Sequence, residues 1–230
     1  MEKNMPKILK RSLKVLGRVL LNWSFIRVTE YNKKPLEGQT YILAPNHTSD
    51  KDGPVFWSAH KNIRIMAKKE CFENKLQGKL LTLIDIVEVD RDNEVGRSKA
   101  LMSAVRYLKD KNEPKVFMMF PQGTISDINK NTLNRIQEGV FVISALSKTP
   151  MVPAFLEQPR WFRRNRIAYG EPYIPDILDE HRKIERDKLL EAKAYWQQKI
   201  FELQTQAAEE GRRPIRKIKL KPKHQNNNNG

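Results

Sequence analysis

The sequence predicts a single α/β domain with a mainly parallel central sheet flanked by helices, preceded by a basic amphipathic N-terminal helix. Along the chain, short apolar runs typical of strands alternate with segments whose apolar residues recur at helical spacing. The length of 230 residues suffices for one such domain to bury a core without disulfides. The single cysteine, Cys71, excludes a disulfide framework, fits a reducing compartment and is expected to be a small buried side chain.

The first predicted element is an amphipathic helix assigned to residues 1–27. At about 100° per residue, its apolar side holds Ile8, Leu9, Leu13, Val15, Leu16, Val19, Leu20, Trp23 and Ile26. Its basic side holds Lys7, Lys10, Arg11, Lys14 and Arg18. Such a helix either packs on the core or lies on an anionic membrane surface. The lack of any acidic residue over residues 4–28 favours the membrane surface.

The main domain is assigned to residues 28–210. Strands are predicted at 40–44, 63–67, 84–89, 115–120 and 150–155, and helices at 98–109 and 134–147. A long final helix is predicted from the apolar residues Leu189, Ala192, Trp196, Ile200, Leu203 and Ala207. From Gly211 onward the chain is basic and then polar, so residues 211–230 are predicted to be a disordered tail.

Net charge indicates an anionic partner. The chain has 43 Lys and Arg against 27 Asp and Glu, a formal charge of +16. A nucleic acid, an anionic membrane, a phosphorylated substrate or an acidic protein would each fit that charge. The basic ends neither interleave aromatic residues nor carry a nucleic-acid-reading motif, so we do not expect nucleic acid. No segment reaches the ~20 apolar residues of a membrane-spanning helix, so any membrane association is expected to be peripheral.

The candidate chemistry lies in residues 46–52, directly after the first predicted strand. His47 and Asp52 can meet across a strand-to-helix turn, where the carboxylate would fix the imidazole tautomer and leave the other nitrogen as a general base. Without a partnering Ser or Cys nucleophile, that base would deprotonate a substrate hydroxyl directly. Two alternatives remain open on these residues alone: Asp52 as a helix cap beside a surface histidine, and a metal held by His47, Asp50 and Asp52.

Four short blocks place this pair in a wider pattern. They are Asn46-His47-x4-Asp52, Asp90-Arg91, Phe120-Pro121-Gln122-Gly123-Thr124 and Val152-Pro153. Their order and approximate spacing resemble the glycerolipid acyltransferase family, in particular the 1-acylglycerol-3-phosphate (lysophosphatidic acid) acyltransferases, over about residues 36–175. The resemblance implies transfer of a fatty acyl group to 1-acylglycerol-3-phosphate, giving phosphatidic acid, at the cytoplasmic face of a membrane. It implies acyl-CoA, acyl carrier protein or acyl phosphate as the donor, with no cofactor and no metal.

The resemblance also assigns roles. His47 would take the proton from the acceptor hydroxyl, and Asp52 would orient the imidazole. The substrate-binding residues would be Asn46, Arg91, Gln122, Gly123 and Thr124. Among them Arg91 would hold the acceptor phosphate, and Asn46 would brace the loop.

The sequence departs from the family in the third block, which usually reads Phe-Pro-Glu-Gly-Thr-Arg-Ser. Gln122 replaces the Glu and Ile125 replaces the Arg, while Asp85 and Glu88 stand in the second block where Gly and an aromatic are common. The catalytic pair is intact but the acceptor site is altered. The alternatives are therefore a different lysophospholipid or glycerol 3-phosphate as the acceptor, or a non-enzymatic basic protein that binds lipid or nucleic acid.

Overall fold

The computed structural model describes residues 9, 12–17, 19, 26–33, 36–74, 78, 81, 86–89, 93–110, 112–125 and 136–210. Within these residues, seven strands and four helices of eight or more residues follow the N-terminal segment. They are β1 (Arg27–Tyr31), β2 (Tyr41–Pro45), α1 (Asp52–Ala59), β3 (Ile63–Lys68), β4 (Ile86–Val89), α2 (Glu94–Lys109), β5 (Val116–Met118), α3 (Gly139–Ser147), β6 (Met151–Leu156), β7 (Arg164–Tyr169) and α4 (Arg186–Glu210).

All seven strands form one sheet in the order β1-β7-β6-β2-β5-β3-β4. The five strands from β6 to β4 are parallel to one another, whereas β7 pairs antiparallel with β6 and parallel with β1. The prediction of a mainly parallel sheet is therefore confirmed. The edge where the five parallel strands end is called the carboxyl edge below, and in open α/β sheets it is the edge where ligands bind.

Side chains alternate between two cores along each buried strand. In β2, Ile42 and Ala44 face a cluster built with α2, α3 and α4, whereas Tyr41 and Leu43 face a cluster built with α1. Both faces of the sheet are thus covered, which is why its central strands are continuous apolar runs. The fully buried Trp196 of α4 also donates its indole N–H to the Ala44 carbonyl at 2.8 Å. This bond ties α4 to the strand that leads into the His47 loop.

The predicted central strands and the long final helix are confirmed to within two or three residues where the structure describes them. The helix predicted at 134–147 begins instead at Gly139, because the Gln137 amide N–H turns to the Pro121 carbonyl. The prediction for Cys71 is wrong: the side chain is exposed, in a short 3₁₀ turn, Lys69–Phe72, that buries none of its residues.

Strands β1 and β7 were not predicted, because their sequences are polar. In β7, Arg166 lies within the sheet because its guanidinium bonds the Glu157 carboxylate at 2.9 Å and the Ala207 carbonyl of α4 at 3.3 Å. The Tyr169 hydroxyl donates to Glu30 of β1 at 2.6 Å. Burial, with the Glu30 carboxylate beside it, raises the pKa of Tyr169. Paired polar groups therefore stand where apolar alternation would normally mark a strand.

The described residues of the N-terminal segment, 9, 12–17 and 19, are helical. Their apolar side chains are exposed: Leu9, Leu13, Val15, Leu16 and Val19 are 36–55% exposed. Among the described residues of this segment, Gly17 approaches the domain closely, because a Cβ there would lie 3.3 Å from the Trp57 ring. Ile26 lies off this helix, 1% exposed and next to β1, which begins at Arg27. Residues 211–230 lie outside the described residues.

Across the part of the chain that the structure describes, no helix is both long enough and apolar enough to cross a membrane.

Replacing Trp196 by Phe should lower the free energy of unfolding by about 1–3 kcal/mol, because it removes a buried hydrogen bond and leaves a void beside β2. Urea denaturation followed by circular dichroism measures this change. Tyr195→Phe, which removes only a hydroxyl from the neighbouring half-exposed ring, is the matched control and should shift stability by less than about 0.5 kcal/mol. Equal stability of both variants would contradict the role given to the Trp196–Ala44 bond.

Candidate active site

Two loops at the carboxyl edge bring the predicted catalytic residues together. Strands β2 and β5 are neighbours in the sheet, so the loop after β2, which carries His47 and Asp52, lies against the loop after β5, which carries Phe120 to Gly123. The Asp52 side chain is fully buried, whereas that of His47 is 17% exposed. The histidine therefore sits where a substrate can reach it, and the carboxylate sits behind it.

The Asp52 carboxylate collects hydrogen bonds from the loop that precedes it. Its Oδ2 accepts from His47 Nδ1 at 2.9 Å, from the Thr48 amide at 2.6 Å and from the Ser49 amide at 3.0 Å. Its Oδ1 accepts from the Thr48 hydroxyl at 3.2 Å. Because a carboxylate only accepts, Nδ1 carries the proton in this pair, and Nε2 is the ring nitrogen that can take a proton from a substrate.

The same carboxylate also starts a helix. Asp52 is the first residue of α1, follows Lys51 at the N-cap, and its amide N–H closes a turn onto the Ser49 carbonyl. An acidic side chain in the first turn interacts favourably with the positive end of the helix. The helix-cap interpretation and the base-orienting interpretation therefore describe two uses of one carboxylate, since it binds loop amides and the imidazole at once.

Phe120 holds the imidazole from one face. The two rings are stacked, with centroids 3.9 Å apart and planes inclined by 15°. Sequence reasoning quoted Phe120 only as part of the third block and gave it no role. The sequence placed Phe120 at the end of the predicted strand 115–120, but it does not record that β5 lies beside β2, which is what brings Phe120 to His47.

Gln122 holds the backbone of the loop that carries His47. The residue is 2% exposed, and its Oε1 accepts the His47 backbone N–H at 2.5 Å. An amide oxygen fills the acceptor role that a carboxylate could also fill, without burying a charge. This geometry explains how the chain keeps the loop in place although Gln122 replaces the family's Glu.

The turn that presents Gln122 depends on Gly123. Pro121 follows Phe120, and the Gly123 amide closes the turn onto the Phe120 carbonyl at 3.0 Å. Gly123 has φ +69°, a left-handed conformation that a glycine adopts without strain. The next two residues, Thr124 and Ile125, are exposed, so both side chains lie at the surface beside the turn.

Asn46 ties the His47 loop to β6. Its side chain is 1% exposed, donates to the Leu156 carbonyl at 2.9 Å and accepts the Leu156 amide at 2.7 Å. Both polar ends of its amide are engaged with the backbone where β6 ends. These two bonds hold the start of the His47 loop against the end of β6. The substrate-binding role of Asn46 stays a prediction.

Not every predicted site residue falls within the described structure. Asp90 and Arg91, the second block, lie outside the described residues, so the geometry places no side chain at the expected phosphate position. Among the residues that the structure describes, no group of three His, Cys, Asp or Glu side chains is arranged to hold a metal ion. The expectation that the site uses no metal stays a prediction.

Comparison with known proteins places this arrangement in a family. Residues 26–157 match the sequence profile of the family described as Acyltransferase. The chain belongs to the acyltransferase family. This match covers β1 to β6 and both loops that form the site.

Relatives of known name agree with this assignment. The chain is 32% identical over 159 residues to the 1-acyl-sn-glycerol-3-phosphate acyltransferase of Limnanthes alba, a match that covers 66% of this chain and 53% of that protein. It is 30% identical over 158 residues to the protein of the same name from Bacillus subtilis, covering 63% of this chain and 73% of the relative. The chain thus spans about half the length of the Limnanthes relative.

A solved structure has the same fold. The crystal structure of the 1-acyl-sn-glycerophosphate (LPA) acyltransferase PlsC from Thermotoga maritima superposes with a TM-score of 0.56, covering 90% of this chain and 81% of that one, at 17% identity. This likeness confirms the α/β architecture with its mainly parallel sheet.

Asp52→Asn should reduce both stability and any activity of the site. Asparagine can keep its one oxygen at the Oδ2 position, where the Thr48 and Ser49 amides donate, and turn its NH₂ group to the Thr48 hydroxyl, which can accept. The bonds then lose their charge assistance, a loss of about 2–3 kcal/mol in total. Thermal and urea unfolding measure the loss. Asp50→Asn changes the same charge at an exposed position two residues away and should leave the unfolding midpoint unchanged. Equal midpoints in the two variants would contradict the structural role of Asp52.

Proposed function

We propose that this protein transfers a fatty acyl group from an activated donor to a hydroxyl of a glycerolipid, with 1-acylglycerol-3-phosphate as the first acceptor to test. The observation that carries the proposal is the His47–Asp52 pair on the loop after β2, in which Nδ1 is bonded to the carboxylate, so that Nε2 is the nitrogen that can take a proton from the substrate. The names of the relatives and the membership of the acyltransferase family support the reaction class.

The proposed step is direct acyl transfer. His47 Nε2 takes the proton from the acceptor hydroxyl as its oxygen forms a bond to the acyl carbonyl carbon. The carbon–sulfur bond of a thioester donor then breaks, and the departing thiolate receives the proton from the imidazolium. Asp52 stabilises that imidazolium through the Nδ1 hydrogen bond. No acyl-enzyme forms, because the acceptor oxygen is itself the nucleophile.

The acceptor's phosphate is assigned to basic and hydroxyl groups near the carboxyl edge. Arg91 follows β4 by two residues in the sequence, and β4 ends at this edge. An arginine offers two parallel N–H donors to a phosphate. The Thr124 hydroxyl stands exposed beside the turn and can donate one bond more. A coenzyme A, acyl carrier protein or acyl phosphate donor would deliver the acyl group without another cofactor.

We further propose that the protein works as a peripheral protein at the cytoplasmic face of a membrane. Support comes from the N-terminal helix, whose apolar side chains are 36–55% exposed in its described residues rather than packed in the core. A positive charge of +16 favours anionic lipid headgroups, where each nearby Lys or Arg contributes about 1 kcal/mol. The phospholipid acceptor would then lie in the same surface that the protein binds.

His47→Ala should lower the rate of acyl transfer by a factor of about 10²–10⁴ while leaving the fold intact, because the reaction loses its general base. The measurement is product formation by mass spectrometry, with lysophospholipid and glycerol 3-phosphate acceptors and both thioester and acyl phosphate donors. His181→Ala, an exposed histidine outside the site, is the control and should keep the wild-type rate. Wild-type turnover by His47→Ala would overturn the mechanism, and no turnover by wild type with any pair would favour a lipid-binding protein without activity.

Arg91→Ala should raise the acceptor KM by a factor of about 10–100 and leave the donor KM unchanged, since a charged hydrogen bond contributes about 1.5–3 kcal/mol. Ile125→Arg restores the family's residue at an exposed position and should lower the KM for a phosphorylated acceptor. Ile125→Leu, which changes shape without charge, is the control. Initial rates over an acceptor series, including one neutral acceptor, measure these effects. An unchanged acceptor KM in Arg91→Ala would remove the phosphate assignment.

A further inference from the structure

A short loop between β6 and β7 exposes two neighbouring aromatic side chains. Trp161 is 36% exposed and Phe162 is 71% exposed. Phe162 also has φ +61°, a left-handed conformation that is costly for a bulky side chain. Such a conformation persists only where the surrounding structure enforces it, and it concentrates at functional positions.

The enforcing group is Asn165, which is 4% exposed at the start of β7. Its Oδ1 accepts the Arg160 amide at 2.9 Å, and its Nδ2 donates to the carbonyls of Arg160 at 3.4 Å and Arg163 at 3.3 Å. One buried amide thus binds the backbone on both sides of the two aromatic residues. Trp161 and Phe162 are therefore held outward by the fold.

The aromatic pair lies beside the candidate active site. The loop begins after Leu156, whose backbone is bonded to Asn46. The Lys51 ammonium, four residues after His47, lies 5.8 Å from the centre of the Trp161 ring. The loop and the His47–Asp52 turn therefore present adjoining surfaces at the carboxyl edge.

The charge around the pair is positive. Arg160, Arg163 and Arg164 flank it and are exposed. The acidic residue of the loop, Glu157, is already bonded to Arg166. Exposed aromatic side chains flanked by exposed arginines match an anionic lipid interface, where Trp lies at the headgroup level and arginine binds phosphate. A projecting tip also suits a fluid lipid surface, which needs no preformed cavity to receive it.

We infer that the Trp161–Phe162 tip is a second membrane contact, which inserts into an anionic lipid surface and sets the His47–Asp52 turn against that surface. It deepens the proposed membrane association and is separate from the N-terminal helix. With two contacts, the domain is oriented on the membrane as well as attached to it. The acceptor hydroxyl can then reach His47 without the lipid leaving the bilayer.

The first test is vesicle binding by the full chain without donor or acceptor. The double variant Trp161→Ser/Phe162→Ser should bind vesicles of 70% phosphatidylcholine and 30% phosphatidylglycerol about tenfold more weakly than wild type. The matched control is Ile174→Ser/Leu190→Ser. It removes two exposed apolar side chains, 48% and 62% exposed, that lie outside the β6–β7 loop. Ile174 follows Tyr173, which pairs with the first residue of β6 at the opposite edge of the sheet. Binding of the aromatic double variant equal to wild type would overturn the inference.

The second test reports insertion directly. In a Trp23→Phe background, Trp161 is the exposed tryptophan, because Trp57 and Trp196 are 2% and 0% exposed. Vesicles with brominated acyl chains should quench its emission, and Trp161→Phe in the same background should abolish the quenching. Binding without quenching would contradict insertion.

Both tests stand apart from catalysis, since neither contains an acyl donor or acceptor. Failure of the acyl-transfer assays would leave their outcome unaffected. A loop variant that binds vesicles normally but loses only transfer from an acyl carrier protein would reassign the tip to an acidic protein partner and overturn the membrane inference.

Discussion

The buried Asp52 carboxylate is the constraint on which the site depends. A charge with no exposed surface must be met by hydrogen bonds, and here the donors come from three consecutive residues, His47, Thr48 and Ser49. Meeting that demand bends the chain after β2, starts α1 and fixes one tautomer of the imidazole. Phe120 and Gln122 then complete the placement, one against the ring and the other on its backbone N–H. The geometry of the base is thus largely a consequence of satisfying one negative charge.

The order of the strands in the sheet places the other loops of the site next to Asp52. Because β2, β5 and β6 are adjacent and parallel, their ends converge at one edge, and the three loops that follow them become neighbours. Asn46 links the first of these loops to the end of β6, and Trp196 secures β2 from the face of α4. The apolar core therefore determines where the polar site can form. The polar groups of the site occupy a few loop residues, whereas the two apolar cores are built mainly from the strands and helices.

The elements that could be predicted from the sequence are those that a short local pattern specifies. Apolar runs identified β2, β3 and β6, and the spacing of His47 and Asp52 identified the turn, because both patterns are short in range. The polar strands β1 and β7 escaped detection since their stability comes from distant partners: Glu30 bonds Tyr169, and Arg166 bonds both Glu157 and α4. The stacking of Phe120 on His47 and the bond from Gln122 depend on which strands are neighbours, and no local pattern records that. Cys71 was misjudged because residue type alone says little about a short surface turn.

The reversed direction of β7 has a consequence for how this domain can vary. Between parallel strands the chain must cross back over a face of the sheet, so a change of length there disturbs a packed helix. Because β7 runs antiparallel to β6, the chain returns through a short loop, residues 157–163, that belongs to neither apolar core. This loop lies at the carboxyl edge, where the proposed reaction would take place. Insertions and substitutions in this loop can therefore change the surface that the domain presents at its carboxyl edge without disturbing the packing of the helices on the sheet.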